Sequence, residues 1–232
     1  MIGARLTMFG GAKGLSAKSY VQDGLVAMWD GIENAGWGTH DSSATVWKDL
    51  VGDTDFTIYD SSTTFTDQSL KMAYANIANR CATSKNFDFV AIEIYGKYQE
   101  GSRILFIDNS SPYRCALIFQ TNLTTLQTTN GVTKMFSIGD RSSYNNKMGL
   151  SVEYNASYKC NGAVFNGVNR PLIDDSNSWV IPYHNCFSLG ARMDWITNVF
   201  AGEFFNIRIY NRALTGAEIA HNYAVDKERF GL

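Results

Sequence analysis

Only three of the 232 residues are proline, and charged side chains make up just 18% of the chain. Scarce proline leaves strand interiors free of missing backbone donors, and scarce charge argues against an exposed, charge-laced helical protein. No stretch approaches the roughly eighteen consecutive apolar residues that a membrane-spanning helix needs. Runs of Lys and Arg are lacking too. With 20 basic against 22 acidic residues the formal net charge is −2, which argues against nucleic acid as a partner. The four cysteines, Cys81, Cys115, Cys160 and Cys186, form no C-x-x-C pair and have no His at ligand spacing. That sets zinc aside. Each cysteine lies in or beside an apolar, β-like stretch, so buried free thiols are the first reading and disulfides the second.

What the chain does have is 45% hydrophobic and 13% aromatic residues. A length of 232 residues suits one all-β domain, burying roughly 70–75% of its extended surface. Residues 1–22 stand apart: Arg5, Lys13 and Lys18 occur there without an acid, and Gly3, Gly10, Gly11 and Gly14 interrupt the apolar residues. This segment is predicted to be a solvated basic arm or linker, and its broken apolar pattern does not make a Sec-type signal. The body is then 23–232.

From Asp23 onward, short β-type runs alternate with Gly, Asn, Asp and Ser clusters, as in a many-stranded antiparallel sandwich. Strands are expected at 25–29, 45–50, 56–59, 87–98, 114–120, 147–154, 178–181 and 204–210, among others. In 87–98, Phe87, Phe89, Ala91, Glu93 and Tyr95 share one face and Val90, Ile92 and Ile94 the other, the pattern of an inner strand covered on both sides. Asn130-Gly131 and Asn161-Gly162 are expected to make hairpin turns. Trp29 and Trp47 fall in β-type runs and read as core. One helix closes the chain. Thr215 and Glu218 form a capping box, Ile219, Tyr223 and Phe230 an apolar stripe, Asp226 to Arg229 the wet side, and Gly231 the stop.

The segment Phe200-Ala-Gly202, followed by the strand ending Tyr210-Asn-Arg212-Ala-Leu214 and the capped helix with Glu218-Ile219, resembles the closing strand and helix of concanavalin A-like, laminin-G-like lectin domains. Asp23-Gly-Leu-Val-Ala-Met-Trp29 and Trp47-Lys-Asp49-Leu-Val-Gly52 resemble that family's opening. The resemblance brackets 23–232 and implies an all-β, antiparallel two-sheet jelly-roll β-sandwich with a short C-terminal helix. The first eleven residues resemble the phage-associated group, which implies a phage virion or extracellular surface as the setting.

Catalytic patterns are sparse. Related laminarinase-like glycosidases carry Glu-x-Asp-x-Glu on one strand, and here Glu93 and Glu153 stand alone, so two carboxylates flanking a scissile bond are not supplied. His40, His184 and His221 lack a nucleophile with an oxyanion hole. Sugar binding would use an exposed ring as a platform with polar neighbours for the hydroxyls. Three loops have that composition: Trp37, His40 and Asp41; Arg141, Tyr144 and Asn145; Asp194 and Trp195. Packing over a sheet edge is the alternative for each ring. Calcium is possible through Asp49, Asp53, Asp55 and Glu203, or through Asp174, Asp175 and Asn177, with solvated turns as the plainer account. The sequence therefore reads as a non-catalytic carbohydrate-binding or receptor-recognition module with a glycan or host-surface receptor as partner. The alternatives are a purely structural virion or assembly protein, using residues 1–22 for assembly or forming a homo-oligomer, and a glycoside hydrolase.

Overall fold

The computed structural model describes residues 15–59, 61–72, 81–83, 91–98, 103–110, 113–120, 123–128, 133–137, 147–154, 160–165, 168–170, 187–189 and 202–231. In chain order the strands are β1 (Leu25–Asp30), β2 (Val46–Trp47), β3 (Phe56–Ile58), β4 (Thr64–Phe65), β5 (Leu70–Met72), β6 (Cys81–Thr83), β7 (Ala91–Tyr98) and β8 (Arg103–Ser110). They continue as β9 (Tyr113–Gln120), β10 (Leu123–Thr128), β11 (Thr133–Ser137), β12 (Lys147–Tyr154), β13 (Cys160–Phe165), β14 (Val168–Arg170), β15 (Phe187–Leu189) and β16 (Gly202–Tyr210), and the chain ends in helix α1 (Gly216–Phe230). The fold is a two-sheet antiparallel jelly-roll sandwich with a C-terminal helix.

One sheet runs β14-β13-β12-β7-β16 and the other β11-β10-β9-β8-β15-β6-β3-β2. The far edge of β16 is shared. Gly202 to Phe204 pair with β5, which continues to β4, while Asn206 to Tyr210 pair with β1. A register shift between Phe204 and Asn206 opposite β7 marks the changeover. As its two apolar faces predict, β7 is an inner strand, hydrogen-bonded to β12 and β16, with Ala91 to Tyr95 buried.

Aromatic residues fill the space between the sheets. Trp29 of β1 meets Phe56 of β3 at 4.4 Å between ring centroids, and Trp47 of β2 meets Phe65 of β4 edge-on at 5.8 Å. Both indoles are fully buried, and each satisfies its polar edge by donating Nε1–H to a carbonyl, Thr54 O and Asp30 O respectively, both at 2.9 Å. A buried indole without such an acceptor would leave a donor stranded.

Helix α1 starts as its sequence dictates. Thr215 Oγ1 accepts from the Glu218 backbone N–H, and the Glu218 carboxylate accepts from the Thr215 N–H. At the other end Gly231, at φ 69°, returns its N–H to Lys227 O. Arg212 clamps the start of the helix to the start of the body, donating to both Glu218 oxygens at 2.6 and 3.0 Å and pairing with Asp23 at 2.8 Å. Hydrogen bonds from Arg212, then from the Thr215 backbone, hold the Glu218 carboxyl down at about 2. This contribution is complete above the unfolded value of 4.5 and fades as the pH falls through 2. Thr215→Ala is expected to cost about 1 kcal/mol in urea-induced unfolding near neutral pH, and a change below about 0.3 kcal/mol would show that the box is not formed.

Two expectations are corrected. Residues 16–22 are not a free tether: Ala17–Ser19 form a 3-10 turn capped by Ser16, and Ala17 and Tyr20 are buried. The body therefore begins before Asp23. Asn161-Gly162 does not form a hairpin turn either. Both residues lie within β13, and the register shift opposite Glu153 and Tyr154 leaves Asn161 as the extra residue of a bulge. The expected strand at 178–181 lies outside the described residues, as do residues 1–14. No helix among the described residues is long and apolar enough to cross a membrane.

Candidate functional site

Beneath α1, on the outer face of the first sheet, the sequence places polar side chains where an apolar interface would be simpler. Strand alternation puts Asn206, Arg208 and Tyr210 of β16 and Ala91, Glu93 and Tyr95 of β7 on this face. Helical spacing aims Asn222, Asp226 and Arg229 back at them. Arg208 donates to both oxygens of Asp226 at 2.7 Å, to Glu93 at 3.0 Å and to Asn206 at 2.9 Å. Asn222 donates to the same Glu93 oxygen at 2.6 Å and to Tyr210 Oη at 3.0 Å. Asp226 and Arg229 are thus buried partners, not the wet side expected from their charge. Nor does the Tyr210 hydroxyl reach solvent, since it donates to Val21 O at 3.1 Å. Burial, opposed in part by Arg208, pushes the Glu93 carboxyl above its ordinary range.

Apolar clusters flank this network. Tyr20, Met28, Leu50, Tyr210, Leu214 and Val225 pack on one side, with Ile219 against them, and Tyr95, Phe205 and Phe230 pack on the other. Tyr20 ties the N-terminal segment in. Its ring lies under Arg208 at 4.1 Å and Arg229 at 5.5 Å, and its hydroxyl donates to Asp226 at 2.8 Å. Burial first, then Asp226, raises the Tyr20 phenol well above its normal value.

The same network anchors the loop that carries Trp37. Arg229 binds both Asp30 oxygens and Glu33. Asp30 Oδ1 accepts from the backbone N–H groups of Ile32 and Glu33 at 3.0 Å, and Glu33 accepts from Ala17 N–H and Gly38 N–H at 2.8 Å. Asn34, fully buried, closes the loop by exchanging hydrogen bonds with the Asp41 backbone at 2.7 and 2.8 Å. Gly36 at φ 128° and Gly38 at φ 68° flank Trp37, conformations that cost little only without a side chain. The result is an indole held 40% exposed on a braced loop, with the Lys18 ammonium 5.2 Å from its ring centroid.

Beside this loop is a cleft of about 420 Å³ lined by Leu15, Ser16, Ile32, Glu33, Gly38, His40, Glu228 and Arg229. His40 Nδ1 lies 3.1 Å from Ile32 O; a carbonyl only accepts, so the proton of the neutral ring is on Nδ1 and Nε2 is an acceptor. Asp41 is occupied locally, accepting from the Ser43 hydroxyl at 2.6 Å and its N–H at 2.8 Å, contacts that lower its carboxyl pKa.

Of the sequence candidates, the structure brings Trp37, His40 and Asp41 together on one loop. Arg141, Tyr144, Asn145, Asp194 and Trp195 lie outside the described residues, as do His184, Cys186, Asp174, Asp175 and Asn177. The calcium candidates have other duties. Asp49 accepts backbone N–H groups from Met28, Val51 and Thr54, Asp55 pairs with Lys48 at 2.6 Å, and Glu203, on β16, accepts from Ser69 at 3.0 Å. Asp53 belongs to the turn that Asp49 caps. Among the described residues no three His, Cys, Asp or Glu side chains converge as metal ligands. Sequence reasoning missed Asp30, Glu33, Arg208, Asp226 and Arg229; strand and helix spacing was the signal for Arg208, Asp226 and Arg229, while Glu33 lies in a loop and had none.

No family model matches the chain, and no curated protein matches it. Among solved structures it is similar to a Trypanosoma rangeli sialidase in complex with sialic acid, at 13% identity and TM-score 0.60, over 91% of this chain and 34% of that one. It is equally similar to the botulinum neurotoxin serotype C1 binding domain, at 13% identity and TM-score 0.60, over 89% of this chain and 52% of that one. The chain thus spans about a third of the sialidase's length and about half of the toxin domain's. Such likenesses show the fold alone, a two-sheet β-sandwich.

Proposed function

We propose that this chain is a non-catalytic module that binds carbohydrate, free or on a host-surface receptor, in the setting of a phage virion or extracellular surface. The observation that carries the reading is Trp37: a large indole left open on a loop braced from below by Glu33 and Asn34, next to a cleft of sugar size. A rigid exposed ring offers a platform for the apolar face of a pyranose, and adjoining acceptors take its hydroxyls. The fold likeness to a sialidase solved with sialic acid and to a toxin binding domain agrees with a recognition role. Of the two carboxylates weighed for hydrolysis, Glu93 is buried and held by Arg208 and Asn222, where no glycosidic bond could reach it.

A glycan array tests the reading directly. The parent chain is expected to bind a subset of glycans, and Trp37→Ala to weaken that binding about tenfold, the equivalent of one aromatic contact of about 1.4 kcal/mol, with thermal stability unchanged because the ring is exposed. A flat array for the parent would favour a structural assembly protein instead.

A further inference from the structure

Resting on the carbohydrate reading, we infer that the cleft between the Trp37 loop and the end of α1 takes a sugar residue that carries no acidic group. Arg229, the one Lys or Arg among its lining residues, is already committed, since it gives both Nη groups to Asp30 and Glu33. The lining carboxylate of Glu228, in contrast, has no partner among the described residues. An incoming sugar carboxylate would meet Glu228 with no uncommitted Lys or Arg among the lining residues to offset it, and like charges set together oppose binding.

Neutral hydroxyls suit the same groups. They can donate to Glu228 and to His40 Nε2. Leu15 and Ile32 supply an apolar wall for the ring carbons.

The test is an array of paired glycans that share one core and differ only in a terminal sialic acid, read with the parent chain and with Glu228→Gln. Glu228 is exposed at the last turn of α1, so the substitution leaves the fold intact. The neutral member of each bound pair is expected to bind at least about tenfold more tightly, the scale of one like-charge contact near a protein surface. Glu228→Gln should narrow that gap to within about threefold. Equal or tighter binding of the sialylated members would overturn this inference and leave the carbohydrate reading standing, as would an unchanged gap in Glu228→Gln. An array with no signal at all would overturn both.

Discussion

Arg208→Met is expected to destabilise the protein by about 3–5 kcal/mol, the cost of breaking a buried ion pair from one side. The side chain is 2% exposed, and its guanidinium serves Glu93 and both oxygens of Asp226. Methionine fills part of the volume and supplies no donors, so two carboxylates would remain in a site water cannot reach. Glu93→Gln should behave oppositely. The buried set opposes two guanidinium groups, Arg208 and Arg229, to four carboxylates, Asp30, Glu33, Glu93 and Asp226. Glu93 is the member whose pKa burial drives up, so the folded state holds its proton more tightly than the unfolded chain does. That contribution favours folding at low pH and is lost as the pH rises through the folded value. Glu93→Gln, which mimics the protonated form, is therefore expected to cost under about 1 kcal/mol and to gain on the parent as the pH rises above the ordinary carboxyl value of 4.5. Urea midpoints for both variants decide it, and an Arg208→Met loss no larger than that of Glu93→Gln would show that the charges are not buried.

The two-sheet architecture could be read from the sequence because it depends on periodicity. The alternation in 87–98 placed β7 inside the sheet, Trp29 and Trp47 belonged to β-type runs, and Thr215, Glu218 and Gly231 punctuate α1 as they do in solution peptides. The network was hidden by a habit of reading charge as solvent exposure. Asp226 and Arg229 look like a wet helix end, and only Asn222, Asp226 and Arg229 taken together, at i, i+4 and i+7, show a polar stripe facing the Asn206, Arg208 and Tyr210 row of an otherwise apolar strand. No local rule couples two such rows 18 residues apart, as Arg208 and Asp226 are; the match exists only once the helix folds back. The Trp37 loop was half legible. Its aromatic and glycine content marked a site, while the burial of Glu33 and Asn34 that stiffens it depends on Arg229, nearly two hundred residues away.

Tyr20→Ala is expected to cost about 3–5 kcal/mol, as for other fully buried aromatic rings, although the residue belongs to a segment whose composition suggests a tether. The residue is 2% exposed, and its ring lies against the two buried guanidinium groups, Arg208 of β16 and Arg229 of α1. Removing it opens a cavity beside charges that have no room for water and withdraws two cation–π contacts worth roughly 0.5–2 kcal/mol each. Tyr20→Phe separates the causes. It keeps the ring under Arg208 and Arg229 and loses only the hydroxyl, whose acceptor Asp226 retains both hydrogen bonds from Arg208. The loss should then be about 1 kcal/mol. The anchoring is shared by neighbours, since Val21 N–H donates to Asn222 at 2.9 Å and His221 meets Ser19 O at 2.8 Å, so deleting residues 1–22 removes a wall of the core. A deletion that left the melting temperature unchanged would mean that Tyr20 does not occupy this place, and with it would go the bracing of the Trp37 loop through Ala17 and Glu33.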